Sequence, residues 1–257
     1  MSSIFFDRPN APAPLWARIA VLLTILAGFA AICCWLLAGS LSNWESVWRY
    51  RQVFLSGWLL TILIAAVSLV VSLVLGLAVA LARRSNFLPL RSLAVLYVEL
   101  IRGSPLLVQI LFFWYVVAAQ LGLTNRLFVG ILILSAFSAA YLAEMIRAGI
   151  ESVSESQLES ARAIGLHPTQ IYRYVIFPQA IRQILPPLAG QLASLIKDSS
   201  LLSVIGLSEF TLSAQQVNSA TFSTFESFLP LALGYLILTL PISMFSRFLE
   251  HRFRYET

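Results

Sequence analysis

Long apolar runs separated by short polar segments dominate the chain. The clear runs are Ala17–Ala38, Gly57–Ala82, Leu93–Ala119, Leu127–Arg147 and Phe228–Phe248. A weaker run, Ile184–Ile205, carries Gln191, Lys197 and Asp198. A hydrocarbon core about 30 Å thick needs about 20 apolar residues per helix, so the pattern predicts six membrane spans. The sequence has no repeated segments in which apolar and polar residues alternate, so it does not suggest a membrane β-barrel.

The first run is interpreted as a retained helix. Its apolar stretch, Ile19–Ala38, is longer than the apolar region of an ordinary signal peptide, which has about 7–15 residues. The small residues Gly39 and Ser40 follow it, so cleavage after this run stays an open alternative.

The distribution of arginines predicts the orientation. With a cytoplasmic N-terminus, twelve arginines fall in cytoplasmic segments and three in external segments. The cytoplasmic set is Arg8, Arg18, Arg83, Arg84, Arg91, Arg147, Arg162, Arg173, Arg182, Arg247, Arg252 and Arg254, and the external set is Arg49, Arg51 and Arg126. Cytoplasmic loops carry an excess of Lys and Arg, so both termini are predicted to face the cytoplasm.

Composition removes several function classes. Charged residues make up 11% and hydrophobic residues 59% of the 257 residues, whereas a soluble domain has about 25% charged residues. The net charge of +5 then reflects topology rather than a nucleic-acid surface. Cys33 and Cys34 are adjacent in an apolar run, and His167 and His251 have no neighbouring ligand residues, so neither pair suggests a metal site. No nucleophile and base are recognisable.

The longest polar cytoplasmic stretch, Glu151–Gln183, has helix signals of its own. Ser156 and Glu159 have the spacing of a capping box. Gly165 suits a left-handed C-terminal cap, and Pro168 prevents the helix from continuing. The pattern therefore predicts a first helix that ends at a glycine bend.

A second short helix is predicted over Thr169–Phe177, with Pro178 marking its end or a kink. Two well-signalled helices favour a docking element for a cytoplasmic partner over a plain linker, which stays the alternative.

This stretch resembles the "EAA" loop of ABC importer permeases. The matching positions are Glu159-Ser160-Ala161, Gly165, Val175 and Phe177-Pro178. The sequence departs mildly from the motif at Ser160, Val175 and Phe177, where the family has Ala, Ile and Leu.

More specifically, residues 53–252 resemble the polar-amino-acid uptake permeases of the histidine, glutamine and arginine type. The other matching pieces are Gly57-Trp58-Leu59-Leu60-Thr61, Tyr97-Val98-Glu99-Leu100-Ile101-Arg102-Gly103-Ser104-Pro105-Leu106-Leu107, Ala140-Tyr141-Leu142-Ala143-Glu144 with Arg147-Ala148-Gly149, Phe177-Pro178-Gln179-Ala180 and Lys197-Asp198-Ser199-Ser200-Leu201. Glu155-Ser156-Gln157 stands where the family often has Lys-Gly-Gln.

The resemblance implies an all-α integral membrane protein with a five-helix type I permease core and one extra N-terminal transmembrane helix. Residues 1–45 would hold the cytoplasmic N-terminus and the extra helix, and residues 46–257 the permease domain with a coupling loop at 150–183. The implied partners are a second permease subunit, identical or related, two cytoplasmic ATP-binding subunits and an external amino-acid-binding protein. The location implied is the bacterial inner membrane.

The sequence of the chain agrees with ATP binding by a separate subunit. A P-loop needs a lysine after a glycine-rich loop, and the only lysine, Lys197, follows Leu195 and Ile196. ATP and Mg²⁺ are therefore expected on the partner ATPase, with no cofactor and no catalytic residue in this chain. The coupling residues implied by the resemblance are Glu159, Ser160, Ala161, Gly165 and Pro178.

Ionisable residues inside apolar runs are costly and mark candidate substrate residues. Gln191, Ser194 and Asp198 share one helical face, and Lys197 and Ser199 flank Asp198. Asp198 would accept the substrate ammonium group, although an ion pair or helix-end anchor is the alternative. Neutral Gln191 favours a neutral polar or acidic amino acid over a cationic one, and a cystine- or opine-like substrate stays an open alternative.

The third run is interrupted at Arg102-Gly103-Ser104-Pro105. A broken helix exposes backbone groups that can bind a carboxylate, and Arg102 suits the same anion. A structural kink with Arg102 paired to Glu99 is the alternative. Tyr141, Glu144 and Arg147 at helical spacing are interpreted as residues that lock helices together.

Two other functions stay possible at this point. An ion-driven secondary transporter could use Glu99, Glu144 and Asp198 as proton sites, but it would be expected to show broken helices in both halves. A non-transporting scaffold would leave the intramembrane charges unexplained.

Overall fold

The computed structural model describes residues 44–253 and scattered residues between 20 and 31. The chain divides into two compact units, Met1–Glu45 and Ser46–Thr257. The predicted first span, Ala17–Ala38, lies largely outside the described residues, as does Arg8, so that span stays a prediction. Over residues 44–253 all regular structure is helical.

Ten α-helices are described between residues 44 and 253, joined in places by π- or 3₁₀-helical turns. They are α1 (Trp44–Arg49), α2 (Arg51–Arg83), α3 (Leu88–Gly103), α4 (Leu106–Phe112), α5 (Arg126–Glu151), α6 (Glu155–Ala163), α7 (Pro168–Ile171), α8 (Phe177–Asp198), α9 (Phe210–Thr221) and α10 (Thr224–Phe253). A π-helix, Phe113–Ala118, extends α4, a second, Tyr172–Ile176, joins α7 to α8, and a 3₁₀ helix, Ser199–Ile205, extends α8.

Three of the described helices are long and apolar enough to cross a membrane. They are Arg51–Arg83, Arg126–Glu151 and the Thr224–Glu250 part of α10. The pair Leu88–Gly103 and Leu106–Ala118 would make a fourth span if taken together. The count of six spans and the cytoplasmic termini stay predictions.

Small residues bring α2 and α5 into close contact. The buried face of α2 consists of Gly57, Thr61, Ile64, Ala65, Ser68, Ser72, Gly76 and Ala80. A Cβ atom at Gly76 would lie only 2.8 Å from the Cβ atom of Leu142. Membrane helices associate through close packing and interhelical hydrogen bonds, since lipid is as apolar as their side chains. The Ser135 hydroxyl, which donates to the Ser68 carbonyl at 3.4 Å, is one such bond.

The predicted third span, Leu93–Ala119, is not one helix. α3 and the α4 segment meet at an angle of 109°, because Ser104 is extended and Pro105 is the N-cap of α4. The buried Gln109 amide stabilises this break, since its Nε2 donates to the Ile101 and Ser104 carbonyls at 2.7 and 3.1 Å. It also donates to the Ser104 hydroxyl at 2.9 Å.

The predicted run Ile184–Ile205 begins earlier than expected. The α-helix α8 starts at Phe177 and ends at Asp198, and only the 3₁₀ turn reaches Ile205. Gly206, with a φ of 76°, ends the turn in the left-handed region. The Ser246 hydroxyl of α10 donates to the Pro186 carbonyl at 2.9 Å, which ties α10 to the middle of α8.

A fully buried carboxylate joins α2, α9 and α10. Glu209 is the N-cap of α9 and accepts the backbone N–H groups of Thr211 and Leu212, both at 2.9 Å. Its Oε2 also accepts the Tyr235 hydroxyl at 3.0 Å and lies 3.5 Å from the Thr61 hydroxyl. The carboxylate thus satisfies two free N–H groups of the helix terminus where lipid could not.

The packing at Gly76 can be tested by Gly76→Ala. The new methyl group would collide with Leu142 and with the Ala139 carbonyl, so unfolding free energy should fall by about 1–3 kcal/mol. Gly190→Ala is the matched control, because its Cβ would meet only the Ser246 hydroxyl, at 3.8 Å. Thermal unfolding of the two variants in detergent measures the difference, and equal melting temperatures would contradict the described α2–α5 contact.

The Glu209 network can be tested by Glu209→Gln. Both carboxylate oxygens accept hydrogen bonds, and an amide nitrogen cannot accept, so stability should fall by about 1–3 kcal/mol. Tyr235→Phe removes one donor and leaves the helix cap in place, so a smaller loss of about 1 kcal/mol is expected. Thermal unfolding provides the measurement, and a Glu209→Gln protein that melts with the wild type would refute the capping role.

Candidate functional site

The segment between α5 and α8 has a small hydrophobic core of its own. Its buried residues are Val153, Ala161, Ile171, Ile176 and Ala180. Leu158, Leu166 and Val175 pack against them. A plain linker would not need to bury apolar residues from both of its helices, so this segment is a folded element. We call residues 150–183 the coupling segment.

The predicted capping box of the first coupling helix is wrong by two residues. α6 begins at Glu155 with Ser154 as its N-cap, and no side-chain hydrogen bond caps this end. Ser156 and Glu159 lie inside the helix instead, and the Ser156 carbonyl accepts the Ser160 hydroxyl at 2.8 Å. Glu159 and Ser160 are exposed, whereas Ala161 is buried in the segment's core.

The predicted glycine bend is confirmed. Gly165 has a φ of 83°, in the left-handed region that favours glycine. Its N–H donates to the Arg162 carbonyl at 2.9 Å, and the Leu166 N–H donates to the Ala161 carbonyl at 3.1 Å. This pair of bonds is a Schellman motif, which satisfies carbonyls at the helix end.

The second coupling helix continues past Phe177, so Pro178 does not mark its end, which is one of the two predicted alternatives. Pro168 opens α7, the π-helix Tyr172–Ile176 follows, and α8 continues from Phe177 with the exposed Pro178 in its first turn. The helical path therefore leads from the coupling segment directly into the long helix α8. Five large apolar side chains of the coupling segment are exposed, namely Ile164, Tyr172, Tyr174, Phe177 and Ile181.

The predicted substrate stripe lies along α8. The buried Gln191 amide donates to the Ser138 hydroxyl of α5 at 3.1 Å. Ser194 and Asp198 are half-buried, and Lys197 is exposed. Among the described residues no hydrogen bond or salt bridge engages the Asp198 carboxylate, whereas the buried Ser199 hydroxyl donates to the Ile196 carbonyl at 2.8 Å.

Arg102, at the end of α3, pairs with Glu144 and not with Glu99, the partner in the alternative interpretation. The Arg102 guanidinium lies 3.5 Å from a Glu144 carboxylate oxygen and 5.5 Å from the centre of the Tyr141 ring. Gly103 is exposed, and the Ser104 hydroxyl donates to the Leu100 carbonyl at 2.9 Å. Glu144 also pairs with Arg83 of α2 and with Arg147. The interpretation of Tyr141, Glu144 and Arg147 as a helix lock agrees with these contacts.

The two predicted parts of the substrate site lie at different depths. Three contacts show that α5 packs antiparallel to α8 and its 3₁₀ extension: Gly149 with Ile184, Ser138 with Gln191, and Gly130 with Leu202 of the 3₁₀ turn. Glu144, and with it Arg102, lies between the first two of these levels. Asp198 lies seven residues beyond Gln191, or about 10 Å of helix rise. Arg102 and Asp198 therefore lie at different levels along α5 and α8 in this conformation.

Sequence reasoning missed Gln109, Glu209 and the partnership of Arg83 with Glu144. A usable signal existed for the first two. Gln109 is an isolated amide in an apolar run, and Glu209 and Glu226 are the only charged residues in the stretch 199–246. Polar groups in such surroundings need partners. The partner of Arg83 depends on how α2 and α5 pack, which no local pattern contains.

Relatives of known type share most of this chain. A glutamine ABC transporter permease protein of Bacillus subtilis, described as probable, is 40% identical over 202 residues, which cover 78% of this chain and 93% of the relative. A nopaline transport system permease protein of Agrobacterium fabrum is 39% identical over 193 residues, covering 71% and 80%.

A solved structure matches the fold as well. The crystal structure of an amino acid ABC transporter with histidines superimposes with a TM-score of 0.77 at 36% identity, covering 83% of this chain and all of that one. Residues 72–255 match the family model described as the binding-protein-dependent transport system inner membrane component. The matched region includes the coupling segment, the α8 stripe and the bent α3–α4 pair, and the chain belongs to this family.

Proposed function

We propose that this chain is the transmembrane permease subunit of an ATP-driven amino-acid importer, in which it forms the translocation pathway. The single observation that carries the proposal is the coupling segment, a two-helix element with its own core in a member of this family. Relatives that are named for glutamine and nopaline transport support amino acids and their derivatives as substrates.

ATP hydrolysis belongs to a separate partner. The only lysine of the chain follows Leu195 and Ile196, so the chain lacks the glycine-rich loop and lysine of a P-loop. ATP and Mg²⁺ would be bound by two cytoplasmic ATP-binding subunits, and a second permease subunit and an external amino-acid-binding protein would complete the importer. The location proposed is the inner membrane of a bacterium.

The coupling segment has the surface that such a partner needs. Ile164 is 77% exposed, and Tyr172, Tyr174 and Phe177 are also exposed on the outside of the segment. Aromatic residues of this kind are enriched in protein interfaces. Glu159 and Ser160 lie on the exposed side of α6, so they could contact an ATPase directly, while Ala161 supports α6 from within.

The α8 stripe is the better candidate for substrate contact. Asp198 is half-buried, and no hydrogen bond or salt bridge among the described residues occupies its carboxylate. A carboxylate in this state can accept an ammonium group. Gln191 is neutral, which favours a polar or acidic amino acid, and the glutamine-named relative agrees with a polar one.

A secondary transporter driven by an ion gradient has no comparable support. Reconstitution in liposomes separates the two functions. Uptake by the full complex should require ATP and the ATP-binding subunits. Uptake by this chain alone that follows a proton or sodium gradient would overturn the proposal.

Two substitutions test the coupling segment. Gly165→Pro should abolish transport, because proline cannot adopt a φ of 83° and removes the N–H that bonds Arg162. Gly165→Ala should have a milder effect, of about 1–2 kcal/mol of local strain, since open space surrounds the position. Co-purification of the ATP-binding subunit measures docking, and normal docking of the Pro variant would refute the assignment.

Charge reversal tests the exposed face of α6 separately. Glu159→Lys should weaken binding of the ATP-binding subunit while the chain still inserts into the membrane. Glu45→Lys makes the same change of charge at an exposed position of α1, in the segment that the arginine distribution predicts to be external, and should bind normally. Equal binding of both variants would remove Glu159 from the interface.

Asp198→Asn tests the substrate stripe. The substitution keeps the shape and removes the charge, so uptake should fall about tenfold or more while assembly of the complex is retained. Asp198→Glu should retain part of the activity. Ser203→Ala, in the adjacent 3₁₀ turn, is the control, and a screen of amino acids with the cognate binding protein gives the substrate. Unchanged uptake by Asp198→Asn would exclude a substrate role.

A further inference from the structure

One cluster of charged residues is not used by the proposed substrate site. Glu144 of α5 accepts Nη2 of Arg147 at 2.9 Å and lies 3.5 Å from Arg102 of α3. It also forms a close ion pair with Arg83 at the end of α2. The Glu144 carboxylate is 18% exposed, so these guanidinium groups, rather than water, provide most of its solvation. We call these residues, together with Glu151, the Glu144 cluster.

On one side, the Glu144 cluster reaches the break between α3 and α4. Arg102 lies in the last turn of α3, next to Gly103, Ser104 and Pro105. The Tyr141 ring lies 5.5 Å from the Arg102 guanidinium, so two residues of α5 hold it. Gln109 fixes the other side of the break through the Ile101 and Ser104 carbonyls. The position of Arg102 therefore sets where the bend sits relative to α5.

On the other side, the cluster reaches the coupling segment. Nη1 of Arg147 lies 2.5 Å from a Glu151 oxygen, and Glu151 is the last residue of α5. Val153, two residues later, is buried in the core of the coupling segment. Arg84, the neighbour of Arg83, lies 6.0 Å from the ring of Tyr172. The cytoplasmic end of α2 thus contacts both the cluster and the coupling segment.

The charges make Glu144 the centre of this arrangement. Three guanidinium groups converge on one carboxylate, and without it they would repel one another in a partly buried place. Removing Glu144 should therefore release Arg83 and Arg102 together. Loss of Arg102 alone would release only the α3 end.

We propose that Glu144 is a positioning residue for transport, which joins movement of the coupling segment to the break between α3 and α4 through Arg147–Glu151 on one side and Arg102 on the other. The inference rests on the proposed function, because it concerns how an ATPase drives the pathway. If Glu144 had only a structural role, its loss would lower the stability of the protein. If it has the proposed coupling role, its loss lowers the amount of substrate transported for each ATP hydrolysed.

The experiment uses the full complex, with its ATP-binding subunits and binding protein, in liposomes. ATP hydrolysis and amino-acid uptake are measured in the same vesicles, and their ratio is compared for Glu144→Gln, Arg102→Gln and the double variant. Each single variant should lower uptake per ATP about tenfold while hydrolysis continues, and the double variant should be no worse than Glu144→Gln.

Two further variants provide the controls. Arg91→Gln removes an exposed arginine from the same helix α3, and Arg91 is in no salt bridge with a described residue, so its ratio should equal that of the wild type. Arg102→Lys keeps the positive charge and should restore part of the ratio. If the Glu144→Gln protein does not accumulate, the ratio of uptake to ATP hydrolysis in Arg102→Gln and Arg102→Lys still tests the proposal, because Arg102 is partly exposed.

Several results would overturn the proposal. Uptake and hydrolysis could fall in proportion, which is the result of a structural defect alone. The ratio could stay at the wild-type value, or the two single effects could multiply in the double variant, which would make the residues independent. A wild-type complex without ATP-dependent uptake would instead refute the proposed function itself, and the coupling role would fall with it.

Discussion

Hydrocarbon offers no hydrogen-bond partner to a backbone amide and no solvation to a charge. Two irregular points in the described helices meet that constraint with a polar side chain. Gln109 stabilises the break after α3, and Glu209 caps α9. Lipid is as apolar as the helix surfaces, so the hydrophobic effect does not drive helices together within it. The helices α2 and α5 pack through small residues instead, which allow their backbones to come close.

The coupling segment follows a different rule, since it is built like a small soluble motif. Ala161 and Ile171 lie in a core shared by its helices, and Gly165 turns the chain between them. The segment continues directly into α8, the helix that carries Gln191 and Asp198.

Charged residues are few in this chain, and the Glu144 cluster differs from Asp198 in its surroundings. The Glu144 cluster is internally paired and joins three helices. Asp198 has no such partner among the described residues, and it lies at another depth. Paired charges stabilise the packing of helices, whereas the half-buried Asp198 carboxylate is in no hydrogen bond or salt bridge with a described residue, which is why separate roles are proposed for Arg102 and Asp198.

The sequence alone determined the membrane class, the family resemblance, the left-handed bend at Gly165 and the interruption at Pro105. Each of these depends on a local property: apolar length, a motif, a φ that favours glycine, or a missing N–H. Tertiary structure decided the rest. It placed Arg102 on Glu144 rather than Glu99, moved the α6 cap from Ser156 to Ser154, and gave the lone Glu209 its partners. Those outcomes depend on which helices pack together, and residues such as Thr61 and Glu209 are too far apart in sequence for any local spacing to pair them.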